Sequence, residues 1–120
     1  MAILNITVHK TVEDEYYFRL RNIAGKLLLT SRNYFDLRKC LCDIYDLQVY
    51  RNFMLNNQVD PESKMHRFFM ETCFGIVIAQ SSVYESMIDM REDMQFIVDN
   101  IRTADVEDRS TKVKFFRMTH

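Results

Sequence analysis

Glycine and proline are almost missing from this chain, which has two glycines, one proline and no tryptophan in 120 residues. Two glycines cannot build the backbone cradles that wrap phosphates, and G-x-x-x-x-G-K-[ST], G-x-G-x-x-G and G-x-S-x-G are all absent. Phosphate and dinucleotide chemistry is therefore not expected. The cysteines, Cys40, Cys42 and Cys73, are odd in number and form no C-x-x-C pair. That argues against a disulfide framework and for a reducing, cytoplasmic setting. Cys40 reads as a small hydrophobe. No run approaches the roughly 20 apolar residues of a membrane helix. The first residues, MAILNITVHKT, lack the basic and apolar regions of a secretion signal and read as a strand.

Charge of one sign is scarce as well. Sixteen basic and seventeen acidic residues leave a net charge of −1, whereas chains that neutralise phosphates usually carry a basic stripe. Only the last twelve residues, RSTKVKFFRMTH, are one-signed, through Arg109, Lys112, Lys114 and Arg117. So short a basic segment reads as a solvated edge strand or a frayed end. Weak nucleic-acid binding through it is the remotest functional reading. What is present is globular: 48% apolar and 28% charged residues, at a length suited to one domain.

An internal repeat organises the chain. Gly25 and Gly75 stand fifty residues apart, and at the same offset Phe18 meets Phe68, Ser31 meets Ser81, Tyr34 meets Tyr84 and Asp43 meets Asp93. Apolar pairs follow, such as Leu20 with Met70, Leu28 with Ile78 and Leu47 with Ile97. The weight lies in which positions agree: a turn glycine and the core faces of each element. Within one unit, residues 3–9 alternate Leu4, Ile6 and Val8 with polar neighbours, the period of a half-buried strand. Tyr16–Asn22 and residues 27–31 add two strands around a turn at Gly25, giving an antiparallel meander.

A helix follows in each unit. Asp36 and Ser86 stand as N-caps, and Ser86-Met-Ile-Asp89 resembles a capping box. Apolar stripes follow: Leu37, Cys40, Leu41, Ile44 and Leu47 in the first helix, then Met87, Met90, Met94, Ile97, Val98 and Ile101 in the second. The second meander is fainter, with strands at Asn52–Val59, Met65–Thr72 and Ile76–Ser81; Val106–Asp108 and Val113–Met118 supply further candidates.

The stretch F-R-L-R-N-I-A-G-K-L-L-L-T-S-R-N-Y from Phe18 to Tyr34, followed by a capped helix, resembles the YegP-like domain of unknown function. The second copy, from Phe68 to Tyr84, fits more loosely, and Asn100 falls where that family ends its helix with asparagine. The resemblance covers nearly all of residues 3–108. It implies β-β-β-α-β units, paired as tandem copies or as two subunits, that share one sheet and exchange C-terminal strands. It implies no activity, substrate or cofactor. Asp43 and Asp93 stand where the family has a helix glycine, and Ile23 and Phe74 where it prefers Asn or Gly.

The expected fold is thus α+β: tandem β-β-β-α(-β) repeats forming one antiparallel sheet, with two helices packed on one face and a pseudo-two-fold axis. Residues 1–120 form a single domain, with repeat 1 at about 3–52, repeat 2 at about 53–108 and a strand or tail at 109–120.

Few residues invite chemistry. His9, His66 and His120 are scattered, without the spacing of metal ligands, and read as surface histidines. The pairs Ser31/Ser81 and Tyr34/Tyr84 are the candidate binding residues. Two symmetry-related phenols could frame a small groove, although a serine ending a strand commonly satisfies backbone groups and a tyrosine there plugs the gap below a helix. Asp43 and Asp93 read as solvated charges on outer helix faces. Ile23, Phe74, Phe115 and Phe116 are candidate interface residues, because turns and tails seldom spend large apolar side chains on water. The leading expectation is a non-enzymatic binding or structural module acting through a protein partner or self-association. No cofactor, metal or membrane contact is expected. The alternative is a small-ligand or catalytic protein using a groove near Tyr34 and Tyr84.

Overall fold

The computed structural model describes residues 3–110. In chain order it contains β1 (Leu4–Lys10), β2 (Tyr16–Asn22), β3 (Leu27–Ser31), α1 (Leu37–Val49), β4 (Phe53–Val59), β5 (His66–Thr72), β6 (Val77–Gln80), α2 (Met87–Asn100), a 3-10 turn (Ile101–Thr103) and β7 (Asp105–Asp108). The seven strands form one mixed sheet in the order β4-β5-β6-β3-β2-β1-β7. The strand expected at Val113–Met118, together with Phe115 and Phe116, lies outside the described residues.

Alternation builds the core face. In β1 and β2, Ile6 faces Leu20 and Val8 faces Phe18 across the ladder, and all four are fully buried. β5 repeats this with Phe68 and Met70. β3 and β6 break the period of two: Leu28 and Leu29 are both buried, as are Ile78 and Ala79. The cause is a bulge in each strand. Leu20 pairs with Leu29 and Arg21 with Leu27, leaving Leu28 as the extra residue, and Ile78 is extra in the same way between Val77 and Ala79. A bulge lets two consecutive side chains serve one face.

The turns before β3 and β6 place Gly25 at φ +88° and Gly75 at φ +79°. Asp36 Oδ1 accepts a hydrogen bond from Arg38 N, and Ser86 Oγ from Asp89 N, so both expected N-caps work. The helices then deliver Cys40, Ile44 and Leu47, and Met90 and Ile97, to the core that lies between them and the sheet. Leu41, assigned to the buried stripe by spacing, remains 37% exposed.

The two halves meet where β3 and β6 pair antiparallel, Thr30 with Gln80 and Ser31 with Ala79. One expectation needs correction. The sheet is not wholly antiparallel, because β7 runs parallel to β1, with Ile6 opposite Val106 and Val8 opposite Asp108. α2 and the 3-10 turn carry the chain from β6, in the middle of the sheet, to the outer side of β1. The alternation within a four-residue strand carries no direction. Among the described residues β4 forms one edge of the sheet and β7 the other.

Candidate functional site

Tyr34 and Tyr84 occupy equivalent places. Each follows the third strand of its half and returns to the sheet through a reciprocal backbone pair: Tyr34 with Tyr16 (2.6 and 2.7 Å), Tyr84 with His66 (2.7 and 2.8 Å). That pairing swings each phenol under the following helix. There the Tyr34 hydroxyl donates to Asp43 Oδ2 at 2.7 Å, and the Tyr84 hydroxyl to Asp93 Oδ2 at the same distance.

Cations complete both clusters. Lys39 Nζ donates to Asp43 Oδ1 at 3.2 Å, and the Arg32 guanidinium lies 3.7 Å from the same carboxylate and over the Tyr34 ring. Lys26, from the turn between β2 and β3, reaches Asp93 at 2.7 Å and covers the Tyr84 ring. That contact ties the first half to the helix of the second. The reading of Asp43 and Asp93 as solvated charges is therefore corrected: their side chains are only 13% and 18% exposed. A carboxylate at the margin of a helix stripe leans inward when a phenol beneath offers a proton. The signal in the sequence was the repeated tyrosine-to-aspartate spacing of nine residues.

Ser31 and Ser81 are buried. Each hydroxyl accepts from a strand amide, Phe18 N at 2.8 Å and Phe68 N at 3.0 Å, and each donates at 2.7 Å to the carbonyl of the next residue, Arg32 and Ser82. With its proton held by a carbonyl and no histidine as hydrogen-bond partner, neither serine is arranged as a nucleophile.

The phenols are poor acids. Burial, then the hydrogen bond and negative charge of Asp43, push Tyr34 well above its ordinary value; burial and Asp93 do the same to Tyr84. Both keep their protons at neutral pH and donate them to the carboxylates, and the Tyr34 oxygen also accepts from Arg32. Since β3 and β6 run antiparallel, the tyrosines that follow them lie at opposite ends of that pair and do not frame one groove. Burial pushes the Cys40 thiol up to about 12. His9 is held below its usual range by burial and then by Arg19, and its ring bonds Thr7 Oγ1 at 2.8 Å. Among the described residues no group of three or more His, Cys, Asp or Glu is placed to hold a metal ion. No described helix is long and apolar enough to cross a membrane.

Ile23 is 58% and Phe74 84% exposed. They sit in turns at opposite ends of the sheet and do not make one patch. A surface missed by periodicity lies at the β4 edge, where a cavity of about 520 Å³ opens between β4 and α2. Its apolar floor includes Phe53, Leu55, Met94 and Val98, and its charged lining residues are Arg51 and Arg91.

No protein-family model and no curated protein sequence matches the chain. Solved structures do. The chain is similar to a UPF0339 protein of Shewanella oneidensis, with a TM-score of 0.79 and 18% identity over 90% of this chain and 92% of that one. It is also similar to YegP of Escherichia coli, a protein of unknown function, with a TM-score of 0.78 and 14% identity over 92% of this chain and 96% of that one. The fold is that of the YegP and UPF0339 proteins, as the sequence motif implied.

Proposed function

We propose that this chain is a non-enzymatic module acting through protein contacts, with the β4 edge as its contact surface. One observation carries the reading: β4 is a seven-residue edge strand, FMLNNQV, without a single charged side chain. Edge strands are normally guarded by charge, shortness, proline or a covering element, because their free N–H and C=O groups recruit other strands. The opposite edge follows that rule, since β7 has four residues and three of them, Asp105, Glu107 and Asp108, are acidic. An unguarded long edge beside an apolar groove is a surface suited to strand addition. The exposed Phe74 and Ile23 are secondary contact candidates.

A photo-crosslinking residue placed at Met54, which is 57% exposed on β4, tests this in cells. The expected outcome is a discrete protein adduct at Met54 and none at Val12, a loop residue 96% exposed. Identical adduct patterns at the two positions, or none at either, would count against β4 as a contact surface.

A further inference from the structure

The two first strands of the halves are not treated alike. Leu4 opposes Asn22 in the first half and Phe53 opposes Thr72 in the second, so β1 and β4 hold equivalent places against β2 and β5. Beside β1 the chain supplies its own neighbour. Ile101 is fully buried, the Gln48 side-chain amide donates to the carbonyls of Ile101 and Ala104 at 3.1 and 2.9 Å, β7 pairs parallel to β1, and Arg109 N closes on Val8 O at 2.8 Å. With this segment in place Leu4, Ile6 and Ile44 are at most 2% exposed.

Beside β4 the described residues hold no such neighbour. After α1 the chain runs through residues 50–52 straight into β4 itself, so the segment that would match Ile101–Asp108 has been used as the strand. Phe53, Leu55 and Met94, at the places of Leu4, Ile6 and Ile44, are only partly buried, and the cavity lies among them. That cavity lies beside β4 where Ile101–Asp108 lie beside β1.

The lining also differs in charge. Arg91 stands where the first half has Leu41, Arg51 joins it at the strand entrance, and no carboxylate lines the cavity. The segment filling the other seat, I-R-T-A-D-V-E-D, is apolar at its start and acidic over its strand. The basic residues 109–120 of a second copy carry the wrong sign for a groove with two arginines. We infer that the groove between β4 and α2 receives an extended, acidic peptide segment of another protein. It lies parallel to β4 as Ile101–Asp108 lies beside β1, with an apolar anchor on Leu55 and Met94 and carboxylates near Arg51 and Arg91. This inference rests on β4 being a contact surface and adds the chemistry of its partner.

The test is an NMR titration of the full chain with a synthetic peptide of residues 101–109, IRTADVEDR. Saturable shifts are expected along β4 and the facing side of α2, with a dissociation constant on the order of 0.1–1 mM, typical of a weak strand contact. Changing the peptide's Asp and Glu to Asn and Gln should weaken binding by about tenfold, as should Arg51→Glu with Arg91→Glu on the protein. Both arginines are exposed, but Arg51 Nη2 also donates to Val98 O at 3.2 Å, so the peptide arm, which leaves the protein untouched, is the control for a change in the fold. Shifts confined to β1 and α1, no saturation at millimolar peptide, or equal binding of the original and the Asn/Gln peptides would overturn the inference. So would a concentration-dependent dimer whose own residues 101–108 occupy the groove. If Met54 crosslinks to a partner while the acidic peptide fails, the partner chemistry is wrong and the contact surface stands.

Discussion

Tyr34 and Tyr84 hold the helices to the sheet through charge-assisted hydrogen bonds from phenol to carboxylate. Such a bond is worth about 1–3 kcal/mol, toward the low end here because cations remain on both carboxylates. Tyr34→Phe and Tyr84→Phe should each lose about that much stability in urea at pH 7. The sign of the pH effect follows from the raised values. An unfolded tyrosine ionises near 10, while the folded ones keep their protons beyond that point. Above about pH 10 the unfolded state binds fewer protons, so stability falls as pH rises, by up to about 1.4 kcal/mol per unit for each tyrosine. The effect should be smaller for Tyr84, whose side chain is nearer solvent. The double Phe variant should show a shallower decline between about pH 10 and 11; equal slopes would refute the assignment. The tyrosines were visible in the sequence as matched residues. Their partners were not, because Asp43 and Asp93 sit one step outside the apolar stripe, where helical periodicity alone reads solvent.

Strands, turns and caps were the most legible elements. The expected bounds of β2 and β3 agree with those observed, and Gly25 and Gly75 adopt the positive φ that their turns require. A Cβ at either glycine would meet nothing within 4 Å, so substitution strains only the backbone. Gly25→Ala and Gly75→Ala should therefore each cost about 1–2 kcal/mol in urea unfolding, and Asn at the same positions less. A cost near zero would mean that the turns rearrange freely. The second meander looked faint for a definite reason. Five residues join β1 to β2 but six join β4 to β5, so β4 matches β1 at an offset of 49 rather than fifty. At fifty, Leu4 and Ile6 fall against Met54 and Asn56, and a slip of one residue reverses every face of a strand. The bulges at Leu28 and Ile78 and the direction of β7 were illegible for a related reason: each depends on which strand lies alongside.

Across the molecule, two similar halves share one core and one sheet yet end in unlike edges. The junction between the halves runs through residues 50–52 directly into β4 (Phe53–Val59), and among the described residues that strand has no neighbour like the one β7 gives to β1. The YegP and UPF0339 folds fit this architecture and bring no activity with them. The contact reading therefore depends on this imbalance between edges rather than on any cluster of reactive groups.

Amide hydrogen exchange on the dilute monomer tests that imbalance directly. The account predicts slow exchange along Asn5–Val8, which is paired on both sides, and fast exchange at alternate amides of Phe53–Val59, those turned away from β5. Uniform protection of β4, equal to that of β1 in a protein shown to be monomeric, would mean that the edge is already covered, and would contradict the account.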